Sequence, residues 1–261
     1  MKRVILSVVL ILLIPALFGC VKKNIEKEGR SVLRIAGSTS MIPVSDKLAR
    51  AYEEKHPGVV IHIEGGDSSL GIRGASGRIV DIGSVSRPLS EEEGKKLSSY
   101  IIAQDSIVVI VNMNNPVKHL TINQIKGIFS GEIKSWEEVG GLNKPITLIN
   151  REHGSGTHSL FKEIVMEQVA EIDERALVMT STGSVISTVA GDANAIGYVS
   201  SRYNTEGIKA VEIQSGENKV FELKRPLLYV IPEGAGKLAM DYINFCTGEE
   251  GQKVIKSYQE N

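Results

Sequence analysis

Short apolar runs alternate with amphipathic stretches along almost the whole chain. Residues 32–36 (VLRIA) and 59–63 (VVIHI) are rich in β-branched side chains and read as strands. Between them Val44, Leu48 and Tyr52 recur four apart, which places them on one face of a helix over residues 43–55. Pro57-Gly58 ends that helix. The alternation continues with a short helix over 69–77, a strand over 79–83, and an acidic helix start at Glu91-Glu92-Glu93 after Ser90. A long apolar strand over 101–112 is too long for one small sheet. A helix with Thr121 as N-cap, a strand over 146–149, a helix over 159–169, a short helix over 185–190 and a strand over 195–199 follow. A strand over 227–231 leads into a C-terminal helical region from Gly236, with a loop at 248–252 opening the last helix. The pattern predicts an α/β fold with largely parallel sheets, in which the apolar stretches from Ile101 and Leu227 are buried parallel strands.

The first residues follow another pattern. Lys2 and Arg3 precede an apolar run over 4–18 that ends in Leu17-Phe18-Gly19-Cys20. A basic start and a short apolar stretch read as a secretory signal over residues 1–19. The run falls short of the about 20 residues a spanning helix needs. Its end resembles a bacterial lipobox, which implies cleavage before Cys20, lipidation of that residue, and an extracytoplasmic chain anchored to the cell membrane. Multiple acyl chains exceed the two-signal threshold for stable anchoring. Residues 20–31 then form a lipidated, polar tether, and Cys246 remains as the one free thiol.

Composition narrows the function. The 261 residues carry 30 Lys+Arg against 31 Asp+Glu, a net charge of −1, which argues against a nucleic-acid partner. Aromatic residues make up 5%, too few for stacking platforms on sugars or single strands. The histidines at 56, 62, 119, 153 and 158 show no metal-ligand spacing, and two cysteines cannot build a four-thiolate zinc site, so no metal or other cofactor is expected.

Three Ser/Gly-rich turns stand immediately before predicted helices. They are Gly37-Ser38-Thr39-Ser40-Met41, Gly65-Gly66-Asp67-Ser68-Ser69, and Arg151-Glu152-His153-Gly154-Ser155-Gly156-Thr157. In α/β folds such turns lie at the carboxyl ends of strands, where ligands bind. Each offers hydroxyl donors, free backbone N–H groups and the positive end of a helix dipole, which together suit an anion. Arg151 adds a permanent cation whose planar fork matches a tetrahedral oxyanion. Each turn taken alone is also an ordinary N-cap. The nucleotide loops Gly-x4-Gly-Lys-Ser/Thr and Gly-x-Gly-x-x-Gly are both missing from these turns.

The segments GSTSMIP from Gly37, GGDSSLGI from Gly65, DIGSVSRPLS from Asp81, IFSGEIKSWEEVGG from Ile128, REHGSGTHSLF from Arg151 and AIGYVS from Ala195 occur in that order. With them the whole mature chain resembles the shorter phosphate-binding lipoproteins of bacterial phosphate ABC importers. The resemblance implies a two-lobed type II periplasmic binding protein fold, each lobe a mixed sheet flanked by helices. Residues 32–106 plus 227–261 would form the first lobe and 107–226 the second, with crossings near residues 104–108 and 225–228. It implies phosphate contacts from Ser40, Met41, Ser68, Ser86, Arg151, Ser155, Gly156 and Thr157. It also implies a non-enzymatic, monomeric protein that hands phosphate to a membrane permease and its ATPase.

Two departures bear on selectivity. Longer members carry a proton-accepting aspartate where this chain has Ser86, and the acidic position two after the clamp arginine is here His153. Asp67 is the nearest carboxylate that could accept the proton of hydrogen phosphate; the alternative is a turn residue bonding its own backbone. His153 is a candidate for the cleft mouth, Arg87 for the cleft wall or a supporting ion pair, and Ser181-Thr182-Gly183-Ser184 for a further wall or a cap. The rival functions are binding of another tetrahedral oxyanion, and a surface phosphoester hydrolase with Ser155 or Ser68 as nucleophile.

Overall fold

The computed structural model describes residues 30–203, 206–215 and 219–260; the signal, Cys20 and most of the tether lie outside them. Strand β1 (Ser31–Ser38) runs through a 3-10 turn at Thr39–Met41 into helix α1 (Ile42–Lys55), whose Pro43 fits the first helical turn. There follow β2 (Val59–Gly66), α2 (Ser68–Ser76), β3 (Ile82–Val85) and a single helical turn, α3 (Glu91–Gly94), closed by a Ser90–Glu93 capping box. Strand β4 (Leu97–Asn112) is the longest. After it come β5 (His119–Thr121), α4 (Ile122–Phe129), β6 (Thr147–Arg151), α5 (Gly156–Ile164), β7 (Leu177–Met179), α6 (Thr182–Gly191) and β8 (Ala195–Ser200). The chain ends with β9 (Ile208–Ser215), β10 (Lys219–Val220), β11 (Leu223–Pro232), α7 (Lys237–Thr247) and α8 (Glu249–Glu260).

The strands lie in the order β2-β1-β3-β11-β4-β8-β6-β7, and β9 joins the far half of β4 and carries β5 and β10. The outer pairs β1/β2, β1/β3, β6/β8, β6/β7 and β5/β9 are parallel. The central strands correct the sequence expectation. The stretches from Ile101 and Leu227 are buried but antiparallel: β4 pairs antiparallel with β11, β8 and β9, and β11 antiparallel with β3. The reason is connectivity. One strand carries the chain out of the first half and the other brings it back, so side by side they must run in opposite directions. They pair from Leu97 opposite Pro232 to Ile107 opposite Leu223, with a bulge at Leu227/Leu228.

The two largest apolar cores divide along these strands, with two smaller ones, around Val185 with Ile110 and around Ile72 with Val230, beside them. The first joins Leu33, Ile35, Leu48 and Tyr52 to Ile102, Leu227, Tyr229 and Tyr242. The second joins Ile107 and Val109 to Phe129, Trp136, Phe161, Tyr198 and Leu223. Both strands therefore change core between Ala103 and Ile107 and between Leu223 and Leu227. The residues at that changeover, Asp105 and Arg225, sit directly opposite each other.

Candidate anion site

Four helix starts meet where the cores divide. In the first lobe β1 delivers Ser38 through Gly37, whose φ is 137° and whose missing Cβ would lie 2.2 Å from the Ser84 carbonyl. The 3-10 turn then presents Ser40, which is buried, and Met41, whose side chain sits in the first core so that only its backbone can face a ligand. Asp67 caps α2 by accepting from the Leu70 N–H at 2.6 Å, and Ser68 begins the helix fully buried. Ser86, also fully buried, follows β3. Its N–H donates to Ser68 Oγ at 3.1 Å, and Ser38 Oγ donates to its hydroxyl at 2.8 Å.

The second lobe supplies the facing group. Strand β6 ends at Arg151, Ser155 caps α5 by accepting from the His158 N–H, and Gly156 and Thr157 form the first helical positions. Arg151 is buried, and its fork is held by Glu152: Nε to Oε2 at 2.9 Å and Nη2 to Oε1 at 2.7 Å. The acidic partner of the clamp arginine is thus the next residue, Glu152, and not position 153. The C-terminal end of β6 is fixed by Asn150, whose Oδ1 accepts from the Arg151 N–H at 2.8 Å and from Tyr198 at 2.5 Å, and lies 3.1 Å from His158 Nδ1. Burial, with positive neighbours at His153, Lys162 and Arg151, pushes the His158 pKa down to about 4, so this imidazole is neutral near pH 7.

The two lobes touch directly. Ser40 Oγ lies 3.1 Å from Thr157 Oγ1 and 3.4 Å from Thr182 Oγ1, and the Thr182 N–H donates to Thr39 Oγ1 at 3.1 Å. Tyr203 OH donates to the Thr39 carbonyl at 2.5 Å, and the Ser69 N–H donates to the Gly154 carbonyl at 3.1 Å. A Cβ on Gly156 would stand 2.5 Å from Ser68 Oγ and 2.7 Å from Ser86 Oγ, so only glycine allows this approach. Ser40, Ser68, Ser86, Arg151, Ser155, Gly156 and Thr157 are therefore gathered at one buried meeting point, with the Met41 backbone beside them. Asp67 lies at its edge, one oxygen in the α2 cap and the other against Gly154.

Other candidates fall elsewhere. His153 is exposed, and its ring packs edge-on against His158 at 5.1 Å, in a cavity shared with Lys162 and Glu171. Arg87 supports its loop through Glu93 (2.7 Å), which holds that carboxyl down to about 2. Ser181 is the α6 cap, while the next residue, Thr182, faces the cleft. Asp105, Arg225 and Tyr203 join the site from outside the candidate turns, while Thr39 and Glu152 lie within those turns. Ser155 and Ser68, the nucleophiles of the hydrolase alternative, both accept from backbone N–H groups, and neither is hydrogen-bonded to a base side chain among the described residues.

Residues 24–250 match the PBP superfamily domain. The chain belongs to the PBP superfamily. All six sequence motifs lie inside the matched span. Among solved structures, this PBP-superfamily chain is similar to a protein from Clostridium perfringens described as a phosphate ABC transporter substrate-binding protein with bound phosphate. The two are 37% identical with a TM-score of 0.81, over 87% of this chain and 98% of that one. An ABC-type phosphate transport receptor from Vibrio cholerae is 29% identical, with a TM-score of 0.69 over 87% of this chain and 98% of that one. By sequence the chain is 26% identical to the phosphate-binding protein PstS of Borreliella burgdorferi, covering 98% of this chain and 97% of that protein. The type II fold of these PBP-superfamily structures is the mixed two-lobed arrangement found here.

Proposed function

We propose that the protein is an extracytoplasmic solute-binding component that captures inorganic phosphate for an ABC importer. The observation that carries this is the cluster of buried hydroxyls at four helix starts, in contact across two lobes at Ser40, Thr157 and Thr182 and backed by Arg151. Arg151 is already balanced by Glu152, so a dianion would be held by neutral donors and helix dipoles rather than by an excess of positive charge. Ser40, the Met41 N–H, Ser68, Ser86, Arg151, Ser155, Gly156 and Thr157 would be its contacts. The ligand is supported by the name phosphate-binding protein PstS carried by sequence relatives and by the bound phosphate of the Clostridium perfringens structure.

In this reading the first lobe comprises residues 32–106 with 227–261 and the second 107–226. That division is supported by the change of core at β4 and β11. Lobe closure buries the anion and presents one face to the membrane permease, whose ATPase supplies the energy. The chain acts as a monomer, held at the membrane by lipid on Cys20 after removal of residues 1–19.

Equilibrium dialysis with labelled phosphate tests the site. Arg151→Ala should weaken binding on the order of 100-fold, since it removes charge-assisted hydrogen bonds to a desolvated anion. Unchanged affinity in that variant would refute the assignment.

A further inference from the structure

Asp105 on β4 and Arg225 on β11 face each other where both strands change core, and both side chains are completely buried. Arg225 Nε donates to Asp105 Oδ2 at 2.9 Å, and Nη2 lies 2.7 Å from the same oxygen. Asp105 Oδ1 accepts from Ser200 at 3.0 Å and from Ser201 at 3.3 Å, at the end of β8. The remaining arm of the guanidinium points at the anion site. Its Nη1 donates to Thr157 Oγ1 at 2.7 Å and reaches the Ser86 carbonyl at 3.4 Å. One side chain, anchored on a crossing strand, thus touches a proposed anion contact in each lobe.

Arginine only donates. Its hydrogen bond occupies an acceptor position on Thr157 Oγ1, which turns the Thr157 proton away from Arg225 and leaves it available to the cleft, where Ser40 Oγ lies 3.1 Å away. A hydroxyl fixed in this way is a ready donor to an anion and loses no orientational freedom on binding. Cementing two strands does not require this arrangement, because a buried ion pair stabilises no better than a well-packed apolar pair. Burial pulls the Arg225 pKa below the usual arginine value, and the facing Asp105 opposes that pull.

We propose that Arg225 is a positioning residue for the anion: anchored by Asp105, it commits the Thr157 hydroxyl to donating into the cleft and links Thr157 to Ser86 in the closed state. The proposal rests on the phosphate reading above.

The test is a double-mutant cycle of Arg225→Lys and Thr157→Val, reading phosphate affinity of the full protein by calorimetry. Each single change should weaken binding about tenfold or more. The double variant should fall within about threefold of Thr157→Val alone, because Arg225 acts through that hydroxyl. Independent effects that multiply, or wild-type affinity in a folded Arg225→Lys, would overturn the proposal while leaving the phosphate reading intact. Wild-type protein that does not bind phosphate would overturn both. If Arg225→Lys does not fold by circular dichroism, the charge-neutral pair Asp105→Asn with Arg225→Gln takes its place in the cycle and is read in the same way.

Discussion

Asp67 shows how one carboxylate can satisfy a turn and border a ligand site at once. Its Oδ1 caps α2, and its Oδ2 lies against Gly154 of the other lobe. Asparagine caps almost as well as aspartate, so Asp67→Asn should keep the fold. Because the carboxylate is committed to the cap, the ratio of phosphate to sulfate affinity should stay within about threefold of wild type, a little under one hydrogen bond's worth. A tenfold loss of discrimination in paired titrations would instead make Asp67 the acceptor of the phosphate proton. His158 makes a different prediction. Its folded-state pKa of about 4 lies below the ordinary 6.5, so the unfolded chain takes up the proton first as pH falls. Stability from this group is complete above about 6.5, is lost down to about 4, and levels off below. His153, Lys162, Arg151 and Glu171 surround the ring and complete its electrostatics. Thermal unfolding across that window should fall on the order of 5 °C more in wild type than in His158→Gln. Parallel curves would contradict the assignment. At this scale the sequence disclosed the residues that sit in Ser/Gly turns next to helix starts, because capping chemistry is local. It did not disclose Asp105, Arg225 or Tyr203, whose partners lie 120, 68 and 164 positions away along the chain. Glu152 was in plain view beside Arg151, but a carboxylate one residue from an arginine has no pattern that marks it as its partner.

The elements owe their function to how their ends are made. Helix α5 is capped by Ser155, and its buried His158 and Phe161 fix it in the lobe with its N-terminus facing Ser68 and Ser86. Gly156→Ala should leave each lobe folded but place a methyl group 2.5 Å from Ser68 Oγ. Phosphate affinity should drop about tenfold or more, with little change in Tm. Wild-type affinity would mean that α5 does not approach the first lobe this closely in solution. Helices and long strands were legible from periodicity, and α1 differs from its prediction by one residue. Helix α5 starts earlier and ends earlier than the 159–169 expected, because Glu167 and Gln168 adopt positive φ (53° and 56°) and reverse the chain. Helix α6 is longer than 185–190, since its Ser181–Ser184 capping box extends it to Thr182. The short strands β5, β7 and β10 carry too few residues for a period-2 signal. Strand β9 did carry one in Val211 and Ile213, alternating with Glu212. The parallel reading of β4 and β11 failed for a different reason: apolar content reports burial, and direction is set by chain connectivity.

At the scale of the whole molecule, the two main cores hang on two antiparallel strands, and among the described residues the chain crosses between them in β4 and β11. That arrangement allows the halves to move as bodies about the changeover at Asp105 and Arg225 while each core stays packed. Among the described residues the lobes meet through hydroxyl and backbone contacts, Thr39 and Ser40 to Thr182 and Thr157, Tyr203 to Thr39 and Ser69 to Gly154, and through the Arg225 arm between Thr157 and Ser86. Such contacts are worth about 1 kcal/mol each and are exchanged for water on opening, so a bound anion can decide the balance. Small-angle scattering should show the protein contract when phosphate is added, and Gly156→Ala should fail to contract. The central claim is that this cleft binds inorganic phosphate, and calorimetric titration of protein freed of ligand by unfolding and dialysis tests it most directly. The account predicts saturable one-site binding of phosphate that Arg151→Ala abolishes or weakens on the order of 100-fold. No heat or competition from phosphate at millimolar concentration, with another oxyanion binding in its place, would contradict it.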